Sequence, residues 1–348
     1  MDSETFEELL GIVAPLIAKQ NTCMRDAITP NMRLSSTLRY LATGEKFEDL
    51  KFLTVISPRS LGVIVIETCE AIISCLSNAI KVPQSEIEWK AIADGFEEIW
   101  NFPNCLGAID GKHIAIKRPP NSGALYYNYK KFYSIVLMAT VNANYEFIVA
   151  DVGTNGRVSD GGVIKNTEFG KAIYNKTLPL PGPSQLPKSD KVLPYVFVAD
   201  NAFQMQGHLI KPYPGTNLTN TQRIFNYRLS RARRIVENVF GILVSRFGVL
   251  QTTIQLAPEK AQIIVLACCY LHNFLRKKKS YSFSHLIDQE DENSGSIAQG
   301  AWRRESHLNV LESAHLRNSS NKAKEIRNNF AEYFINEGAV SWQQKYLR

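Results

Sequence analysis

Leu106-Gly-Ala-Ile-Asp110-Gly-Lys-His-Ile-Ala-Ile116 is an apolar run with a carboxylate at its centre. From Cys105 the chain turns β-rich, and a charge inside an otherwise buried strand is costly unless it binds something. Three further β-rich runs follow, Phe132 to Val141, Phe147 to Val152 and Tyr195 to Ala199. The last ends on Asp200 in the same manner. A helix over Gly162 to Tyr174 and a Pro-rich loop over Leu178 to Leu193 separate the third run from the fourth. This alternation predicts an α/β domain with a mixed sheet over residues 104–275, where functional side chains sit at strand ends.

Upstream, residues 1–103 read as an all-helical N-terminal domain. Phe6, Leu9, Leu10 and Val13 share one helical face, and Leu34, Leu38 and Leu41 recur at helical spacing. Phe47 to Leu53 and the segment after Ser57-Pro58 form two short helices joined by a tight turn, a helix-turn-helix-like segment poor in positive charge. Ser85 and Glu88 make a capping-box pattern ahead of Trp89, Ile92, Phe96 and Trp100. Downstream, Ser230 to Phe247 is a strong amphipathic helix, and Gly241 within it would permit close packing against the strands. Pro258 opens a core helix through Leu275. Residues 276–348 comprise a basic segment, a solvated mobile linker over Ser280 to Gly300, and a C-terminal helix over Lys322 to Ile335.

The 348 residues carry a net charge of +7 and are 45% hydrophobic, which admits a sizeable core and a polyanionic partner. The longest apolar stretch, Ile263 to Leu271, is too short to cross a bilayer, and the acidic N-terminus is unlike a signal peptide. A soluble intracellular protein without a membrane role is expected. The six cysteines form no CxxC pair and no zinc-ligand spacing with the histidines, and so read as reduced core thiols. Neither a GxxxxGK[ST] loop nor a GxSxG elbow occurs, against a nucleotide-driven motor or an α/β-hydrolase.

Asp110, Asp200 and Glu237 each interrupt an apolar pattern, and a shared cation would reconcile them with the core. Phosphodiester cleavage is the chemistry that uses such acids, because Mg²⁺ or Mn²⁺ held by carboxylates activates water and stabilises the leaving oxygen. Other readings stay open for each: an Asp-Gly turn, an Asp-Asn turn, and an (i, i+4) partner for Arg233.

Four segments, taken in order, carry a family resemblance. They are Gly107-Ala-Ile-Asp110-Gly-Lys-His-Ile, Tyr126-Tyr-Asn-Tyr-Lys130, Val198-Ala-Asp200-Asn-Ala-Phe and Ser230-Arg-Ala-Arg-Arg-Ile-Val-Glu237-Asn-Val-Phe-Gly. Together they closely resemble the PIF/Harbinger transposases and the nucleases derived from them, and the likeness extends over nearly the whole chain. It implies an RNase H-like DDE nuclease domain in which Asp110, Asp200 and Glu237 are catalytic and bind a divalent cation. Asp160 matches a further acid that the family uses as a metal ligand, with an N-cap of the next helix as its other reading. The chain departs from the family in having Ala199 before, and Asn201-Ala-Phe203 after, the second acid; no carboxylate is lost. The resemblance also implies a separate Myb/SANT-like DNA-binding partner that aids nuclear entry.

Between Asp110 and Glu146 there is no acid, while Lys112, Lys117, Arg118, Lys130 and Lys131 alternate with tyrosines. Arg228, Arg231, Arg233 and Arg234 lead directly to Glu237. Both stretches suit a phosphate backbone beside the acids, and a solvated basic face is the other reading. Arg276-Lys-Lys-Lys279 is a short candidate import signal, so a nuclear location, shared or not with the cytoplasm, is expected. The predicted activity is metal-dependent DNA endonuclease; the rival is an idle transposase fold that binds DNA or chromatin. A homodimer is left open.

Overall fold

The computed structural model describes the chain except residues 159–162, 165, 279–285, 292–295, 306–308, 311–319 and 348. Five helices come first: α1 (Ser3–Ile17), α2 (Pro30–Thr43), α3 (Phe47–Thr54), α4 (Pro58–Cys75) and α5 (Glu86–Trp100). Their starts follow local chemistry. Asp2, Thr29, Ser57 and Ser85 each accept a hydrogen bond from a first-turn amide, and Pro30 and Pro58 sit where no amide donor is needed. The Ser85 box closes one residue early, because Glu88 reaches back to the amide of Gln84. The helices α3 and α4 meet at 92°, but α4 turns Leu61, Ile64, Val65 and Cys69 into the core, and Arg33 and Lys19 pair with its Glu67. Packing occupies much of the surface that a DNA-reading helix would need. No single helix among the described residues is long and apolar enough to cross a membrane.

The central sheet has the order β3-β2-β1-β6-β7. Its long strands β1 (Cys105–Ala115), β2 (Ser134–Val141) and β3 (Phe147–Asn155) run antiparallel, and the short β6 (Val196–Val198) and β7 (Leu209–Ile210) run parallel to β1. A small hairpin, β4 (Ser184–Gln185) with β5 (Val192–Leu193), gives the Pro-rich connection regular structure. Beside β1, β6 pairs with Cys105 to Ala108 through a bulge, and β10 (Asn309–Val310) pairs with Lys112 and His113. Asp110 lies in the interval between these two neighbours. The bulge needs Gly107, whose φ of 153° and closeness to the Thr140 methyl leave no room for a side chain.

Helices cover both faces. On one side Ala108, Ile114, Val196 and Val198 pack with α7 (Asn220–Arg246) and α8 (Pro258–Arg276); on the other, Ile109, Met138 and Phe197 meet Trp89 of α5 and Phe169 of α6 (Glu168–Asn175). Helix α7 starts ten residues ahead of the expected Ser230, at a full capping box of Thr219 and Gln222. The first core also includes Leu9, Leu34 and Leu61 of the N-terminal helices and Phe330 and Phe334 of α10 (Asn321–Ile335). Cys69, Cys105, Cys268 and Cys269 are buried, Cys75 is half-buried and Cys23 is exposed, all as free thiols.

The stretch expected to be a mobile linker is built in where it is described. β8 (Gln289–Glu290) and β9 (Ile297–Ala298) form a hairpin, followed by the short α9 (Trp302–Glu305). Asp288 is buried, accepts from the amide of Gly300, and takes a two-pronged ion pair from Arg303. The amide of Asp288 and the indole N–H of Trp302 both donate to Asn238 on α7, each at 3.1 Å. Trp302 lies on Gly241, where any Cβ would enter its ring. The missing side chain of Gly241 therefore accommodates this strap, and not the strands as the sequence suggested. Charge density here was a misleading sign of solvation at Asp288 and Glu290, which Arg303 and the pair Arg231 and Arg234 neutralise.

Candidate metal and nucleic-acid site

Asp110 projects from the middle of β1 on the same face as Ala108 and Ile114, toward α7. Ala108 is in register with Val198 of the parallel neighbour, so Asp110 and Asp200 each stand two residues beyond a matched pair. Strands in such a pair lie about 4.8 Å apart. Glu237 comes from α7, which packs over the same strands; one turn further along, Phe240 receives the ammonium of Lys112 on its ring at 5.6 Å. Register and helix packing thus bring the three acids to one locality.

Each acid is held differently. Asp110 is 1% exposed; its Oδ1 accepts from the amide of Gly111 at 2.9 Å, and its buried Oδ2 has no hydrogen-bond partner. Burial pushes its pKa up to about 6, with Lys112 and then Arg233 opposing the rise and Asp200 and Glu237 adding to it. Asp200 is half-buried in a turn and accepts from the amide of Ala202 at 2.8 Å. Glu237 Oε1 accepts from Arg233 at 2.9 Å, and its Oε2 lies 3.6 Å from the Arg303 guanidinium. Burial alone would lower the Arg233 pKa, but Asp110, Glu237 and Asp200 hold it above the ordinary value. A guanidinium therefore sits among the three carboxylates. Among the described residues no three His, Cys, Asp or Glu side chains stand close enough together to hold a metal ion. Asp160 lies outside the described residues.

The donor chemistry nevertheless fits a hard cation. Three acids and a guanidinium influence one another's charge, and one oxygen, Oδ2 of Asp110, is buried without a donor. Asp110, Asp200 and Glu237 are the residues that could hold such an ion.

The predicted DNA-binding cations divide into two sets. Lys117, Arg118, Lys130 and Lys131 are exposed around the β1–β2 connection, as are Tyr127 and Tyr129. Arg118 lies over the Tyr133 ring and Lys130 over that of Tyr129. Partial burial and then the charge of Lys112 lower the Lys130 pKa, which ties this connection electrically to the strand carrying Asp110. The second set is internal, contrary to expectation. Arg228, 2% exposed, donates to the Gly338 carbonyl, Gln343 and the Asn101 carbonyl and stacks on Phe334. Arg231 and Arg234 are buried and pair with Glu290 at 3.2 Å each. Lys112 is also buried, on the acid face of β1. These four are struts and counter-charges, closed off from a phosphate backbone by the residues that they bind. Arg233 belongs to the carboxylate cluster.

Arg303, Asp288, Glu290, Trp302 and His113 also contribute here, and no sequence motif marks them as site residues. Gly241 and Trp302 were the available signals for the strap, a glycine inside a strong helix and an aromatic inside a polar stretch. His113 is buried beside Asp110's strand neighbours, with Nδ1 2.9 Å from the Ser134 hydroxyl; burial and then Lys130 lower its pKa to about 4.

Residues 109–273 match the DDE superfamily endonuclease family. Among curated proteins the chain is similar to "Protein ALP1-like" of Arabidopsis thaliana, 27% identical over 75% of this chain and 62% of that one. It is similar also to "Putative nuclease HARBI1" of Xenopus laevis, 25% identical over 82% of this chain and 77% of the relative. The Homo sapiens protein of the same name is 24% identical over 71% and 67%. No solved structure matches the chain. The matched span, a little under half of the chain, contains Asp110, Asp200 and Glu237, and over these residues the chain is similar to a DDE superfamily endonuclease domain.

Proposed function

We propose that this chain is a Harbinger-type, metal-dependent DNA endonuclease with an RNase H-like catalytic domain. The observation that supports the reading is the charge coupling of Asp110 on β1, Asp200 in the turn after the parallel neighbour β6, and Glu237 on α7, inside the endonuclease span. Three antiparallel strands continued by parallel ones, with helices on both faces, is the arrangement that an RNase H-like domain requires. A bound Mg²⁺ or Mn²⁺ would activate water and stabilise the leaving oxygen of a phosphodiester. Asp110, Asp200 and Glu237 would hold the ion, and burial of Asp110 keeps that ligand away from bulk water. Lys117, Arg118, Lys130 and Lys131 would position the phosphate backbone, while Tyr127 and Tyr129 offer faces for stacking. Activity in the nucleus and delivery by a Myb/SANT-like partner complete the reading; the low charge of the α3–α4 pair supports a need for such a partner.

A second reading is a DNA- or chromatin-binding protein that does not cut. It is favoured by the guanidinia on both oxygens of Glu237. Plasmid nicking separates the two. Wild type should nick supercoiled DNA with Mg²⁺ or Mn²⁺ and stop when chelator is added. Asp200→Asn should retain DNA binding and lose roughly 100-fold or more in nicking. Equal nicking by both proteins, or none by wild type with and without the partner, would end the endonuclease reading.

A further inference from the structure

We propose that Arg233 is the resident cation of the carboxylate centre, and that a divalent metal enters by exchange with it. The inference rests on reading Asp110, Asp200 and Glu237 as metal ligands. Both oxygens of Glu237 face guanidinia, Arg233 at 2.9 Å and Arg303 at 3.6 Å. For Glu237 to become a ligand at the roughly 2.1 Å that Mg²⁺ demands, an incoming ion must approach a carboxylate whose two oxygens already face positive charge. A guanidinium and a divalent ion in the same cluster would also repel each other strongly at such short range.

The arrangement around Arg233 is incomplete as a permanent ion pair. Its buried Nε has no hydrogen-bond partner, and neither has Oδ2 of Asp110. A finished buried salt bridge satisfies such atoms, because each one left over costs stability. Here the charge is compensated while hydrogen bonding is not, as suits a placeholder. The other cations are less free to leave. Lys112 is 5% exposed on a strand paired along both edges, with its ammonium on Phe240. Arg303 is fixed by its two-pronged pair with Asp288. Arg233 stands on the helix surface one turn before Glu237, its side chain 16% exposed, and rotation about its own bonds gives it a way out.

Exchange makes a prediction opposite in sign to ordinary damage. Arg233→Gln should lower the melting temperature in chelator, because three acids then face one another with less compensation, and should bind metal more tightly. Mn²⁺ alone, without DNA, titrated calorimetrically into the full-length chain is the probe, with wild type, Arg233→Gln, Arg233→Lys and Asp200→Asn compared. Arg233→Gln should bind Mn²⁺ roughly tenfold more tightly than wild type, the scale of one charge-assisted hydrogen bond. Arg233→Lys, which keeps a cation of shorter reach, should lie between them and stands in if the glutamine variant fails to fold. Mn²⁺ binding that Asp200→Asn abolishes, but that neither Arg233 variant tightens, would overturn the exchange and leave the metal reading intact. Absence of any Asp200-dependent Mn²⁺ binding, in wild type and variants alike, would overturn both.

Discussion

Exposure, more than charge, decides what each basic side chain can do. Lys117, Arg118, Lys130 and Lys131 can displace counterions from DNA; Arg228, Arg231 and Arg234 cannot. Replacing one exposed cation by alanine should lower the slope of log K against log salt by about 0.9, whereas Arg234→Met should leave the slope unchanged. Binding isotherms at several salt concentrations read this directly, and a lowered slope for Arg234→Met would place it in the groove. A second residue-scale effect is acid sensitivity. His113 is neutral in the fold, with its pKa lowered from 6.5 to about 4, so its contribution is fully present above 6.5 and is lost as pH falls toward 4. That amounts to about 2 kcal/mol at pH 5. His272, buried and donating from Nε2 to the Tyr145 carbonyl, acts in the same direction. Asp110 acts oppositely, since protonation between pH 6 and 4 relieves its burial. Urea midpoints at pH 7 and 5 should differ less for His113→Gln than for wild type. The acids were legible in the sequence because a charge in an apolar run is a local contradiction. The fate of the arginines was not legible: Arg231 and Arg234 find their anion in Glu290, more than fifty residues on, and no local pattern announces so distant a partner.

At the scale of elements, the strap from Asp288 to Arg303 ties the helix that bears Glu237 to the tail of the chain. Trp302 fills the notch at Gly241, Asn238 accepts from both ends of the strap, and Arg303 continues to Glu237. Gly241→Ala should push the indole out, at a cost of about 1–3 kcal/mol from overpacking. Red-shifted tryptophan emission together with a lower melting temperature would report it. Unchanged emission would mean that α7 can shift without moving Trp302. The elements themselves were read well wherever periodicity was strong, as in α5, α8 and the three long strands. Boundaries drifted where a cap lay outside the apolar pattern, as Thr219 does for α7. The strap was missed for a different reason: its stability comes from buried polar pairings, and polar composition by itself resembles solvated chain.

Across the whole molecule, one core runs from Leu9 and Leu61 through Ile264 of α8 and Ile235 of α7 to Phe330 and Phe334. Cutting at residues 104 and 275 would expose apolar faces of α7, α8 and the sheet that the terminal helices cover. A fragment of residues 104–275 should therefore be insoluble or lack a cooperative thermal transition, and the full chain should unfold in a single transition by calorimetry. A soluble fragment that melts cooperatively would show this span to be an independent folding unit. The same burial partitions the thiols. Four cysteines are sealed in the interior and Cys75 donates to the Ile12 carbonyl, which leaves Cys23, in the loop between α1 and α2, as the exposed one. Stored in air, the protein should accumulate a covalent pair of chains joined through Cys23, visible on a non-reducing gel and abolished by Cys23→Ser, and any sizing experiment in which reductant is omitted would count that oxidation product as an assembly.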